Sequence, residues 1–147
     1  MRITNEADYA LRIVYALLNC QQKNAKRISE ESGVSLRFAL KILRKLVQGG
    51  YVASHQGANG GYYLIKEPQE ISVGNIVELI DGKVELVNCL NPGDQCSRMG
   101  CHSSACQLHS FLIGINHDLL TKLNAKTFDQ FLPDTDSATK HNPGLKQ

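Results

Sequence analysis

No stretch of the chain approaches the roughly eighteen consecutive apolar residues that a membrane-spanning helix needs, so no membrane partner is expected. The opening MRITNEADYALRIVYALL lacks the order of a secretory signal. Asn5, Glu6 and Asp8 precede its apolar stretch, and no small-residue cleavage site follows. A cytoplasmic location is therefore expected. Also missing are a Ser-His-Asp set, a phosphate-binding P-loop and a dinucleotide fingerprint, which removes the usual grounds for predicting an enzyme. Internal repeats are absent. Cysteine is scarce outside one segment: of five in the chain, four fall within CLNPGDQCSRMGCHSSAC, residues 89–106. In a reducing compartment such a cluster points to metal binding or thiol redox chemistry rather than to structural disulfides.

A large excess of one charge is lacking too. The net charge is only +2, but residues 1–50 carry nine Lys/Arg against four Asp/Glu, whereas residues 51–147 carry seven against ten. Most of the early positive charge lies between Lys23 and Lys45, where an anionic partner is to be sought.

What is present reads as mainly α with a small β-hairpin. From Asn5 to about Cys20, Ala10, Ile13 and Leu17 with Leu11, Val14 and Leu18 keep helical spacing, and Thr4 is available as N-cap. A short helix after Asn24 ends near Gly33. Ser35 then caps a longer one reaching Gln48, stopped by Gly49 and Gly50. On that helix the spacing predicts Leu36, Ala39, Leu40, Leu43, Leu46 and Val47 toward the core, and Arg37, Phe38, Lys41, Arg44, Lys45 and Gln48 outward. YVASH and YYLI, separated by Gln56-Gly57-Ala58-Asn59-Gly60-Gly61, read as a hairpin with a Gly-rich tip. Helix, turn, helix and hairpin in this order predict a winged helix-turn-helix.

A further helix is expected from Ser72 to about Asp81, with Gly82 past its end. From about Cys106 to Ala125, Leu108, Phe111, Leu112, Ile115, Leu119 and Leu123 form an apolar stripe on a helix that lies beyond an already complete domain. That stripe predicts a long C-terminal dimerisation helix. The expected division is a DNA-binding domain over 1–82, a cysteine-rich loop over 83–106, the dimerisation helix over 107–132 and a disordered tail over 133–147.

The exposed basic face and the hairpin suit double-stranded DNA. A helix lying in the major groove reads bases near its N-terminus and backbone further on, so Ser35, Arg37, Phe38 and Lys41 are base-proximal candidates and Arg44 and Lys45 backbone candidates. In the wing, Gly57, Gly60 and Gly61 allow close approach to a phosphate or minor groove, with His55, Gln56 and Asn59 as donors. An ordinary solvated helix also has a charged outer face; the helix and wing in sequence are the more specific signal.

Cys89, Cys96, Cys101 and Cys106 are separated by six, four and four residues. Zinc knuckles favour pairs two to four residues apart, roughly the limit reached here, and ferredoxin-type spacing is tighter. The spacing therefore admits zinc, copper(I), an iron-sulfur cluster or a metal-free thiol pair.

Four segments in order, MRITNEADYALR, ISEESGVSLRFALKILRKLVQGGYVAS, GANGGYYL and LVNC, resemble the iron-sulfur winged-helix repressors of the IscR and NsrR type over roughly residues 1–132. The resemblance implies a homodimeric repressor on a palindromic operator. Each subunit would hold a 2Fe-2S or 4Fe-4S cluster on three loop cysteines and one non-cysteine ligand, and sense nitric oxide, redox state or iron-sulfur status. Cys89 and Cys106 match the outer cysteine positions. The middle one is Cys96 or Cys101, and CHSSAC favours Cys101. Asp8 matches an aspartate ligand that would come from the partner subunit, and His109 matches an alternative histidine. Gln56, where the family often has Arg, and Leu40, where some members have an acidic residue, depart from the pattern and bear on operator sequence. Two rival readings remain: a metal-free thiol sensor of the same fold, and a zinc or iron-sulfur protein without a DNA role.

Overall fold

The computed structural model describes residues 3–19, 21–90 and 106–132. Helix α1 (Asn5–Leu17) starts where the Thr4 hydroxyl accepts the Ala7 N–H at 3.2 Å. Helix α2 (Ala25–Ser32) starts where Asn24 Oδ1 accepts the Arg27 N–H at 2.9 Å, and ends at Gly33 in the left-handed region. These side-chain acceptors satisfy backbone donors that have no partner in a first helical turn. Helix α3 (Leu36–Gln48) follows after a tight turn and ends at Gly49. Among the described residues, no helix is long and apolar enough to cross a membrane.

Ala10, Ile13, Val14 and Leu17 of α1, Ile28 of α2, and Ala39, Ile42, Leu43 and Leu46 of α3 form one buried cluster. Here the observed face of α3 differs from the expected one. Ile42 is fully buried, whereas Leu36, Leu40 and Val47 are 43%, 40% and 38% exposed. The spacing 39, 42, 43, 46 gives the narrow stripe that fits between α1 and α2, and Leu36, Leu40 and Val47 fall on its shoulder. The exposed side of α3 thus carries apolar as well as basic groups.

Strands β1 (Val52–His55) and β2 (Gly61–Leu64) pair antiparallel, with Val52 opposite Leu64 and His55 opposite Gly61. Gly57, at the tip between them, has φ 129°, a conformation that side-chain-bearing residues rarely adopt. The hairpin is tied to the body by Lys23, whose N–H donates to Tyr62 O at 3.0 Å and whose carbonyl accepts the Tyr62 N–H at 2.7 Å. This approach explains Gly61: a Cβ there would lie 2.6 Å from the Lys23 oxygen. The wing is therefore fixed relative to α1 and α2.

After a 3-10 turn at Pro68–Glu70, helix α4 (Val73–Asp81) begins in a reciprocal cap between Ser72 and Asn75 and buries Ile76 and Val77 against α1. Helix α5 (Gln107–Ala125) has no buried residue. Its end is anchored: Val73 N–H donates to Lys126 O at 2.9 Å, Phe128 N–H donates to Ile71 O at 2.9 Å, and the Phe128 ring enters the core. Its first half stands free of that core, with Leu108, Phe111, Ile113 and Ile115 between 44% and 63% exposed. Residues 133–147, expected to be a disordered tail, lie outside the described residues.

Candidate functional site

Helix α3 and the wing form one half of the site. Ser35 occupies the N-cap position of α3, but its side chain makes no cap hydrogen bond. Its exposed hydroxyl is not committed to its own helix. Phe38 is half exposed and steadied edge-on by Tyr9, with ring centroids 6.2 Å apart. Arg37 and Arg44 are exposed and form no ion pair among the described residues. In the wing, His55, Gln56, Gly57 and Asn59 are exposed, and Gly60 is half-buried. The Gln22 amide donates to the Asn59 carbonyl and holds the tip toward the α1–α2 connection.

The positive charge of the first third is only partly available. Lys23, whose side chain is 12% exposed, donates to Ala16 O at 2.5 Å and pairs with Glu31. Arg27 pairs with the same carboxylate at 2.8 Å. These contacts, the Lys23 ammonium first, hold the Glu31 carboxyl below its ordinary range. Lys41 and Lys45 face Glu6 of α1, at 3.2 and 2.7 Å. Sequence reasoning missed Glu6, Gln22 and the structural use of Lys23. Glu6 reads locally as a first-turn acid stabilised by the helix dipole, and no local pattern reports a pairing across 35 or 39 positions.

The Lys45 ammonium beside it also lowers the Glu6 carboxyl pKa; partial burial opposes that shift and Lys41 adds to it. A carboxyl with a depressed folded-state pKa contributes stability that is present above its unfolded pKa and lost as pH falls through the folded value. The stability advantage of the wild type over Glu6→Gln is therefore expected at neutral pH and should fade below about pH 4, as read by urea unfolding of both proteins. An advantage that stays constant down to about pH 3 would contradict this linkage.

The cysteines form the other half. Cys89 is half-buried in a 3-10 turn, Asn88–Leu90, that packs against α5. Cys106, also half-buried, is the N-cap residue of α5 and makes no side-chain cap hydrogen bond. Asn116 of α5 accepts the Leu86 N–H at 3.1 Å and holds the approach to the loop. One turn after Cys106, His109 has a buried Nδ1 with no hydrogen-bond partner among the described residues. Asp8, by contrast, is engaged by Arg12 at 2.8 Å within its own helix. Cys96 and Cys101 lie outside the described residues, and among the described ones no three His, Cys, Asp or Glu side chains are gathered at metal-binding distance.

A helix-turn-helix whose second helix carries an exposed basic face, followed by a pinned Gly-rich hairpin, defines a winged-helix DNA-binding protein. Residues 3–134 match the Rrf2 family, described as iron-dependent transcriptional regulators, and the chain belongs to that family. It is a transcriptional regulator and not an enzyme. It is 31% identical over 138 residues to the HTH-type transcriptional regulator NsrR of Geobacillus kaustophilus, covering 91% of both chains. Among solved structures it resembles CymR, the global cysteine regulator of B. subtilis, with TM-score 0.72, 22% identity and 89% and 95% of the two chains covered. It also resembles T. potens IscR, with TM-score 0.71, 20% identity and 97% and 94% covered. At these identities the two structural likenesses establish the fold.

Proposed function

We propose that the protein is a homodimeric repressor whose affinity for a palindromic operator is set by an iron-sulfur cluster on the residue 89–106 loop. The observation that carries this reading is the placement of Cys89 and Cys106 at the two ends of that loop, beside the exposed half of α5. Soft thiolates together with an imidazole suit iron, and the Nδ1 of His109, buried and without a hydrogen-bond partner among the described residues, is the kind of nitrogen a metal would satisfy. The donor set therefore fits the group. Cys89, Cys106 and one of Cys96 and Cys101, with Cys101 favoured, would hold it. His109 is the preferred fourth ligand, because the Asp8 carboxylate is already bound to Arg12.

When bound, the cluster supplies a centre that nitric oxide, oxidants or iron loss can damage. The chain supplies the readout. Leu108, Phe111 and Ile115 form an apolar face that a second copy of α5 would cover, so the loop adjoins the subunit contact. A change in the loop can then alter the angle between two DNA-binding heads whose recognition helices must lie about one DNA turn apart. Arg37, Phe38, Lys41 and Ser35 face bases, Arg44 and Lys45 face phosphates, and His55, Gln56, Gly57, Asn59 and Gly60 follow the flanking backbone or minor groove.

Purification without oxygen tests the cofactor. Visible absorbance with near-stoichiometric iron and acid-labile sulfide, bleached by nitric oxide, is expected. Protein that holds neither, even after anaerobic reconstitution, would belong to a metal-free thiol switch or a zinc site instead.

A further inference from the structure

Glu6 lies in the first turn of α1 and reaches α3, where its carboxylate meets two ammonium groups one helical turn apart. Lys41 Nζ donates to Oε2 at 3.2 Å, and Lys45 Nζ lies 2.7 Å from Oε1. The Glu6 side chain is 25% exposed, and its Oε1 is sealed from solvent. The lysines are more open, at 54% and 37%, so they form the outer side of the cluster, toward the surface that meets DNA. A groove lined by Thr4, Asn5, Tyr9 and Phe38 adjoins the carboxylate, which keeps the cluster within reach of a ligand lying along α3.

A carboxylate between two lysines is arranged as a backbone phosphate would be. Binding to DNA gains free energy chiefly when a Lys or Arg neutralises a phosphate and releases its counterion. A lysine held by Glu6 releases none. The basic face is therefore divided: Arg37 and Arg44, without ion pairs among the described residues, are available to any duplex, whereas Lys41 and Lys45 must first leave a competing anion.

We propose that Glu6 is a specificity-determining residue that retains Lys41 and Lys45 on random DNA and yields them only to a duplex whose groups fit α3 closely. It acts on the nonspecific state, holding random-sequence affinity down and thereby raising the ratio of operator to nonspecific binding. This inference rests on α3 being the DNA-facing helix.

The test uses Glu6→Gln in the full chain, with a random-sequence duplex and an operator enriched from a random pool by the wild-type protein. Random-duplex affinity should rise roughly three- to tenfold, with a salt slope steeper by about one to two, as expected for one or two added phosphate contacts. Operator affinity should change less. Glu6→Asp, which keeps the charge but shortens the reach, should shift the same way. Removing any acid near DNA also lessens repulsion, so the gain must disappear when Lys41→Ala and Lys45→Ala are already present. A gain that persists without the lysines, or no gain in either Glu6 variant, overturns the proposal. If the Arg37→Ala, Arg44→Ala double variant binds as wild type, the DNA-facing role of α3 falls, and the role of Glu6 with it. Loss of binding in that variant, combined with unchanged Glu6 variants, overturns the Glu6 proposal alone.

Discussion

Replacing Arg37 and Arg44 together by Ala is expected to weaken operator binding by roughly a hundredfold, which corresponds to about 2.7 kcal/mol. These two side chains are the exposed α3 cations that no ion pair among the described residues restrains. Lys23 and Arg27 are spent on Glu31, and Lys41 and Lys45 lean on Glu6. The two replacements should differ in kind. Arg37, in the first turn of α3, is the proposed base contact, so its loss should relax sequence preference at one position in each half-site. Arg44, two turns further on, is the proposed backbone contact, so its loss should weaken all sequences alike and lower the salt slope by about one. Neither side chain is buried, and thermal unfolding should stay near wild type. A folded double variant with unchanged affinity would move the DNA surface off α3.

The second large effect is expected at the cysteines. Cys89→Ala and Cys106→Ala should each remove the visible absorbance and bring iron and sulfide to background in anaerobically purified protein, while far-UV circular dichroism stays unchanged. The residues flank the loop and are half-buried rather than part of the core, which explains why folding should survive. Cys20→Ala, outside the loop, should keep its iron. His109→Ala should lose or destabilise the cluster, because its Nδ1 is the candidate fourth ligand, whereas Asp8→Ala should retain it. The opposite pattern for His109 and Asp8 would assign the fourth position to the carboxylate.

Much of the architecture was legible because it is encoded locally. Thr4, Asn24 and Ser72 accept N–H groups of their own helices' first turns, and Gly33 and Gly82 end two helices at positive φ. The hairpin is legible in the β-prone runs around the Gly-rich tip, with each strand beginning or ending one residue from the expected limits. The face of α3 was legible in outline only. Helical spacing assigns six apolar residues to the core, but the space between α1 and α2 accepts the narrower stripe and leaves Leu36, Leu40 and Val47 at the surface.

The site was legible as a set of residue types and not as a set of partnerships. Basic composition marks the first fifty residues, yet much of that charge is paired with Glu6, Asp8 and Glu31, and the ion pair from Glu6 to α3 is tertiary. Lys23 illustrates the same limit: it counts as basic in the sequence and serves in the structure to hold α1, α2 and the wing together. His109 could be named from a resemblance, but only the fold shows that its inner nitrogen lacks a partner among the described residues.

The state of the loop is expected to control DNA affinity. The most direct measurement is the operator affinity of one anaerobic preparation before and after its cluster is removed with nitric oxide, at fixed salt. A change of roughly 5- to 150-fold, the range typical of coupling between two sites, is predicted. Equal affinities of the loaded and cluster-free protein would contradict it, leaving a winged-helix regulator whose cysteines do not govern its hold on DNA.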